Sequence, residues 1–238
     1  MIQRLYVHNF RCLEHFELPL KGISSSLLIG KNGSGKSTIS YALEILQGIA
    51  RGVSRIGELV KASDFTRGNT DIPIRFEIET ILSEKLYKYV LVLELPDNFK
   101  EPRISEEQLL VDGKQIYSRK EANVCLHKNP QQGSDASFFI DWHLIALPII
   151  QKQSEKDPIQ IFQSWLERMI ILSPVPCKMK GASRGSTLLP ERYVSNFAEW
   201  LTGLLLRYPA AYSNIDKYLR KVMPDFDSIE NELLAKDV

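Results

Sequence analysis

The sequence predicts a mixed α/β fold of the α+β kind, and three features point to it. The segment Gly30-Lys31-Asn32-Gly33-Ser34-Gly35-Lys36-Ser37 fits the phosphate-loop pattern G-x-x-x-x-G-K-[ST]. Downstream, apolar residues alternate with polar ones at Ile72, Ile74, Phe76 and Ile78, and less cleanly from Tyr87 to Leu95, the period-2 pattern of half-buried antiparallel strands. The last third of the chain returns to helical spacing.

Residues 2–10 alternate with Leu5 and Val7 on one face and Tyr6 and His8 on the other, which predicts a strand, and Phe16 to Leu20 reads as its hairpin partner. Arg11 falls on the connection after Asn9-Phe10, where an arginine is ordinarily solvated or paired with a carboxylate. Leu27-Leu28-Ile29 reads as a short buried strand, and Ile39, Ala42, Leu43, Leu46 and Ile49 recur at helical spacing, so the loop is expected between a strand and a helix. Residues 50–69 are punctuated by glycine and charge and read as a loop. The two alternating runs, joined through Leu82-Ser83-Glu84-Lys85, predict a hairpin. A further hairpin from Gln108 to Tyr117 turns on Asp112-Gly113, a dipeptide suited to a type I′ turn. Such a meander departs from the βαβ repeats of a nucleotide kinase.

The stretch 122–135 is ambiguous, with residues 129–134 reading as an exposed loop, and Ser137 to Ile150 reads as a strand running into loop. Asp157 as N-cap with Pro158 at the first helical position opens a helix spaced through Ile161, Trp165 and Met169. Met169 to Leu172 reads as a short strand stopped by Ser173-Pro174. Helices are expected near Arg192 to Leu206 and Tyr212 to Val222. Lys178, Lys180 and Arg184 lie on a loop that is either solvated or a contact to nucleic acid or a partner.

Each residue type in the phosphate loop has a physical role. Glycine at 30, 33 and 35 permits backbone conformations that a Cβ would forbid, so successive amides, with Lys31, Asn32 and Ser34 between them, can surround a phosphate. The helix beginning near Lys36 adds its positive dipole end and unpaired N–H groups. By the motif's mechanism Lys36 reaches the β- and γ-phosphates and neutralises transition-state charge, Ser37 is a ligand of Mg²⁺, and Thr38 is placed for the α-phosphate. The plain alternative is a Gly/Ser-rich turn entering a helix.

A chain of 238 residues, 44% hydrophobic, can bury a sizeable core. The net charge of +1 gives no global field that would favour nucleic acid or membrane. Cys12, Cys125 and Cys177, widely spaced and without C-x-x-C, point to packing residues in a reducing compartment. No stretch approaches the roughly 18 apolar residues of a membrane span, and the N-terminus alternates instead of running apolar, so a cytoplasmic location is expected.

The strand ending in Asn9-Phe10-Arg11, the loop Gly30 to Thr38 and the meander after it together resemble the ABC-type ATPase heads of the SMC/RecF/RecN group. Ser173-Pro174 through Leu189, Asn196-Phe197-Ala198 and Trp200-Leu201 resemble bacterial ATPases related to the overcoming-lysogenisation-defect (OLD) proteins. The resemblance implies a P-loop NTPase head in which residues 1–175 form the nucleotide-binding lobe with an antiparallel β-subdomain and residues 176–238 a helical segment that starts an incomplete C-terminal lobe. It implies ATP and Mg²⁺ as cofactors, an ATP-dependent homodimer, DNA and a nuclease or effector as partners, and a role in repair or phage defence. It places Arg11 near the phosphates, Asn32 toward the γ-phosphate, Asp64, Phe65 and Thr66 near adenine, and Gln151 or Gln153 as a magnesium-sensing glutamine; for Phe65, packing in the core is the plainer reading. In such heads a Walker B Asp-Glu pair and a partner's signature motif complete the site, yet this sequence contains no Asp-Glu dipeptide and no L-S-x-G signature. Val90 to Glu94 and Phe138 to Asp141 end in a carboxylate but lack the second one. The chain therefore reads as a truncated head that binds Mg-ATP weakly and hydrolyses it poorly. An ABC transporter subunit, a phosphate-loop kinase and a non-catalytic interaction module are the competing readings.

Overall fold

Strand β1 (Ile2–His8) turns back through β2 (Phe16–Pro19), and both lie in an antiparallel sheet that also takes up every later strand among the described residues. The computed structural model describes residues 1–127, 135–151, 154 and 156–229, and separates into two units, Met1–Met169 and Ile170–Val238. In the first unit β3 (Ile74–Leu82), β4 (Lys85–Glu94), β5 (Arg103–Val111), β6 (Lys114–Lys120), β7 (Asn123–Leu126) and β8 (Ala136–Phe139) follow as a meander, giving an eight-stranded sheet in the order β2-β1-β3-β4-β5-β6-β7-β8.

Alternation decides which face is buried. Leu5 and Val7 of β1, Ile74, Phe76 and Ile78 of β3, and Tyr87, Tyr89, Leu91 and Leu93 of β4 enter one core, against α1 (Lys36–Ala50) and α3 (Pro158–Glu167). On α1, Ile39, Ala42, Ile45, Leu46 and Ile49 recur at three- and four-residue spacing and supply its buried face. Polar stitches fix the two helices: Gln163 donates to the Ala50 carbonyl at 2.8 Å, and Gln47 donates to the carbonyls of Glu167 and Met169. As expected from the sequence, the Asp157 side chain caps α3 by accepting from the Ile159 amide at 2.9 Å. The hairpin turns also follow the expectation. Asp112 and Gly113 have φ of 49° and 78°, and Ser83 and Glu84 have 48° and 66°, the two successive positive values of a type I′ turn.

A buried polar cluster ties the sheet to residues 144–147. Glu107, fully enclosed, accepts from the hydroxyls of Tyr89 (3.1 Å) and Tyr117 (2.8 Å) and from the amides of Ala146 (2.7 Å) and Leu147 (2.9 Å). Arg119, also enclosed, lies 3.8 Å from Glu107 and donates to the carbonyls of Glu121, Asp141 and Leu144. Burial and then the adjacent Glu107 charge push both tyrosine hydroxyls far above their ordinary pKa. On the opposite face Glu77 is ringed by Arg4, Arg75 and Lys88; burial alone would raise its carboxyl pKa, but these bonds outweigh it and hold the group at about 2.

Several expectations are corrected. Leu27, Leu28 and Ile29 form no strand and are 82%, 41% and 86% exposed, because no neighbouring strand among the described residues pairs with their backbone. The stretch 50–69 is more ordered than a loop, holding α2 (Ile56–Leu59) and 3₁₀ turns at Ala62–Asp64 and Thr66–Gly68, with Ile56, Val60 and Phe65 in the core. Ile72 precedes β3 and is exposed. Residues 169–172 form no strand either: Met169 packs on the core while Ile170 is exposed, and no ladder forms there among the described residues. The proposed loop at 129–134 lies outside the described residues.

In the second unit α4 (Phe197–Arg207) and α5 (Ala211–Val222) follow a segment held by single backbone bonds, including Ser173 N to Arg192 O (2.8 Å) and Lys180 N to Ser195 O (3.1 Å). Helix α4 begins five residues later than expected from Arg192, since residues 192–196 are spent on those bonds. Gly203 lets the Thr187 backbone approach α4: a Cβ there would sit 2.1 Å from the Thr187 oxygen.

Candidate nucleotide-binding site

The phosphate loop opens directly into α1. Gly35 is the N-cap residue, with φ +93° in the left-handed region, and Gly33 has φ +81°. At Gly30 the chain passes close to Ser34: a Cβ there would lie 2.7 Å from Ser34 Oγ and would turn that hydroxyl aside. The loop closes through Ser34 N donating to Lys31 O (3.2 Å). The Lys36 ammonium folds back over it, donating to the carbonyls of Gly30 (2.6 Å) and Lys31 (2.8 Å) with Ser34 Oγ at 3.5 Å. The amides of Gly33, Gly35, Lys36 and Ser37 donate to no protein acceptor among the described residues. No acidic residue stands in the first turn of α1, so its positive end is not offset by a carboxylate of its own. Lys31, Asn32, Ser34 and the Ser37 side chain are exposed at this end.

A wall for the loop comes from the turn between β1 and β2. Leu13 and Cys12 pack on Gly35, where an added Cβ would be 2.9 Å from Leu13 Cδ2 and 3.2 Å from Cys12 Sγ. Cys12 Sγ also contacts Thr38 Oγ1 at 3.4 Å. The Thr38 hydroxyl is thus buried against the turn. Arg11 is half-exposed between the two elements. Its Nε donates to Asp64 Oδ1 at 2.8 Å and its guanidinium stacks 4.2 Å above the Tyr41 ring of α1. The carboxylate that sequence reasoning placed near adenine is therefore the group that aims Arg11; Asp64 also accepts from the Lys61 amide.

Phe65 is the clear correction among the predicted site residues. It is 1% exposed and its backbone bridges Phe10, so its ring fills the core and offers no face to a base. Thr66 is buried beside it, its amide donating to Asn9 O. Gln151 lines a groove with Lys85, Asp112 and His127 in which no residue of the phosphate loop takes part, and Gln153 lies outside the described residues. Sequence reasoning missed Cys12 and Leu13 as the loop's neighbours and Tyr41 as the ring under Arg11; they carry no motif, and Cys12 and Leu13 reach Gly35 from the distant turn between β1 and β2.

The donor set fits a nucleotide triphosphate. Four amides without a protein acceptor among the described residues, two of them in the first turn of α1, lie within five residues of one another beside the Lys36 ammonium, the donor types that stabilise a polyphosphate. Ser37 offers the hydroxyl that Mg²⁺ takes in such loops, and among the described residues no cluster of three His, Cys, Asp or Glu forms a separate metal cage.

The loop–helix unit set beside an antiparallel sheet defines a P-loop nucleotide-binding domain. The chain belongs to the family of AAA ATPase domains, whose model matches residues 1–136. It is similar to an OLD nuclease of Thermus scotoductus, 46% identical over 48 residues that make up 20% of this chain and 9% of that protein. It is also similar to structural maintenance of chromosomes protein 6 of Saccharomyces cerevisiae, 34% identical over 99 residues, 42% of this chain and 7% of that protein. The matched part spans less than a tenth of either relative. Among the described residues no helix is long and apolar enough to cross a membrane.

Proposed function

We propose that this chain is the ATP-binding part of an SMC/OLD-like ATPase head that acts with DNA, in repair or phage defence, in the cytoplasm. Residues 1–175 form its nucleotide-binding lobe and residues 176–238 a helical segment. The observation that carries the reading is that the amides of residues 33 and 35–37 have no protein acceptor among the described residues in the same loop that holds the Lys36 ammonium. With Mg-ATP bound, Lys36 would turn from its loop carbonyls to phosphate oxygens, Ser37 would offer its hydroxyl to Mg²⁺, Asn32 would face the terminal phosphate and Arg11, held by Asp64, would add a cation beside the loop. The bound Mg²⁺ supplies neutralising charge for the phosphates.

Support for DNA as partner, and for an ATP-dependent homodimer with a nuclease or effector, is the likeness to the SMC protein and to the OLD nuclease. Hydrolysis by this chain alone is slow, since the sequence offers no Asp-Glu pair to orient water. Titration with a fluorescent ATP analogue and Mg²⁺ tests the reading: Lys36→Ala should weaken binding about 10- to 100-fold, the scale of one or two charge-assisted hydrogen bonds. Equal affinity of wild type and variant overturns it. Duplex DNA affinity that falls steeply with salt tests the partner separately.

A further inference from the structure

The turn that walls the phosphate loop is closed by a pair of histidines. His8, the last residue of β1, and His15, just before β2, stack with ring centroids 3.8 Å apart and an interplanar angle of 28°. The His15 amide donates to His8 Nδ1 at 3.0 Å. A backbone N–H can only donate, so His8 Nδ1 has to be unprotonated for this bond to exist. His15 Nδ1 in turn contacts the Tyr6 hydroxyl at 3.1 Å. Between the two rings the chain takes up left-handed conformations at Asn9, Arg11 and His15, with φ of 52°, 53° and 49°. Such positions cost energy and persist only while their surroundings hold them. The same turn carries Arg11, Cys12 and Leu13, the residues that touch Asp64, Thr38 and Gly35.

We propose that His8 and His15 form an acid-sensitive latch that holds the Arg11–Leu13 turn against the phosphate loop, so that acidification loosens the loop and weakens nucleotide binding. The nucleotide half of this inference rests on the phosphate-loop reading above. Protonation of His8 can occur only at Nδ1, which replaces an acceptor by a donor facing the His15 amide and brings a cation onto the face of a second imidazole. The groups around the pair are Arg4 and Tyr6 on β1, Glu17 on β2, Arg75 opposite His8 on β3, and Glu14 with its partner Arg67. Burial first, and then the neighbouring His15, lower the His8 pKa below its ordinary 6.5, while Glu14 opposes them. The sign follows: the folded turn disfavours the added proton, so its stability is complete above pH 6.5 and declines as pH falls below it.

Hydrogen exchange of residues 9–15 without nucleotide, at pH 7.5 and 5.5 and corrected for intrinsic rates, tests the latch. Protection in the wild type should drop about fivefold or more on acidification, and in His8→Gln, whose amide oxygen accepts at every pH, it should stay flat. His15→Gln removes the stacked ring, one of the two causes that lower the His8 pKa, so the drop should shrink, which keeps the test decisive if His8→Gln does not fold. A wild type without the drop, or the same drop in His8→Gln, overturns the latch. Dissociation constants for a fluorescent ADP, measured as the ratio of wild type to His8→Gln so that the nucleotide's own titration cancels, should rise about fivefold at pH 5.5. Absence of nucleotide binding at pH 7.5 rejects the phosphate-loop reading alone, because hydrogen exchange still decides the latch.

Discussion

Val90-Leu-Val-Leu93 of β4 contains the same kinds of side chain as Leu27-Leu-Ile29, one run lying inside the sheet and the other at the mouth of the phosphate loop. The first is buried throughout, flanked by β3 and β5, which satisfy its backbone on both edges. The second is exposed and has no strand beside it among the described residues. Apolar side chains favour burial, but burying an extended backbone without partners for its N–H and C=O groups costs more than a few side chains return. Neighbours, more than residue type, separate these regions: the sheet is closed by cross-linking groups, whereas the loop keeps donors free for a ligand.

The largest way to break that contrast is to open the sheet from inside. Glu107→Ala removes the acceptor of two hydroxyls and two amides and strands Arg119, and should cost about 3–5 kcal/mol in urea unfolding. Acid acts on the outer face. Because the folded Glu77 carboxyl sits at about 2 instead of 4.5, its stabilisation is present above pH 4.5 and is lost as pH falls toward 2, about 2–3 kcal/mol in all. Glu77→Gln should flatten the pH dependence of stability across that window. In the loop, Gly35→Ala places a Cβ at φ +93° and against Leu13, so melting should show a loss of about 1–3 kcal/mol. The smallest effect sharpens the comparison. Leu27→Ser should change unfolding stability by less than about 0.5 kcal/mol, while Leu91→Ser in β4 unfolds the chain or nearly so. A large loss at Leu27 would show that the loop region is buried after all.

Much of the sheet was legible in the sequence because its signals are local: Asp112-Gly113 marks a turn and Asp157-Pro158 a helix start. The phosphate loop was legible for the same reason, since its motif is contiguous. What escaped depends on distant groups. Glu107 reads as a solvent-facing charge in Arg103–Val111, but the irregular register of β5 against β4, where Val92 pairs with Glu106 and Leu93 with Ile104, shifts the alternation and turns Glu107 inward with Ile104 and Leu109. Strand β7 is too short to show a period. For Phe65 the sequence favours core packing over base stacking, and its 1% exposure agrees with that.

From β3 to β8 every strand pairs with its successor, so each step joins segments already near one another along the chain. Strand β1 is different: Val7 must find Phe76, and the intervening chain holds the whole phosphate loop and α1. Loop closure of that length carries the larger entropic barrier. During synthesis the nucleotide pocket should therefore mature only after β3 has left the ribosome, and a nascent chain arrested before Ile74 should have no grip on ATP.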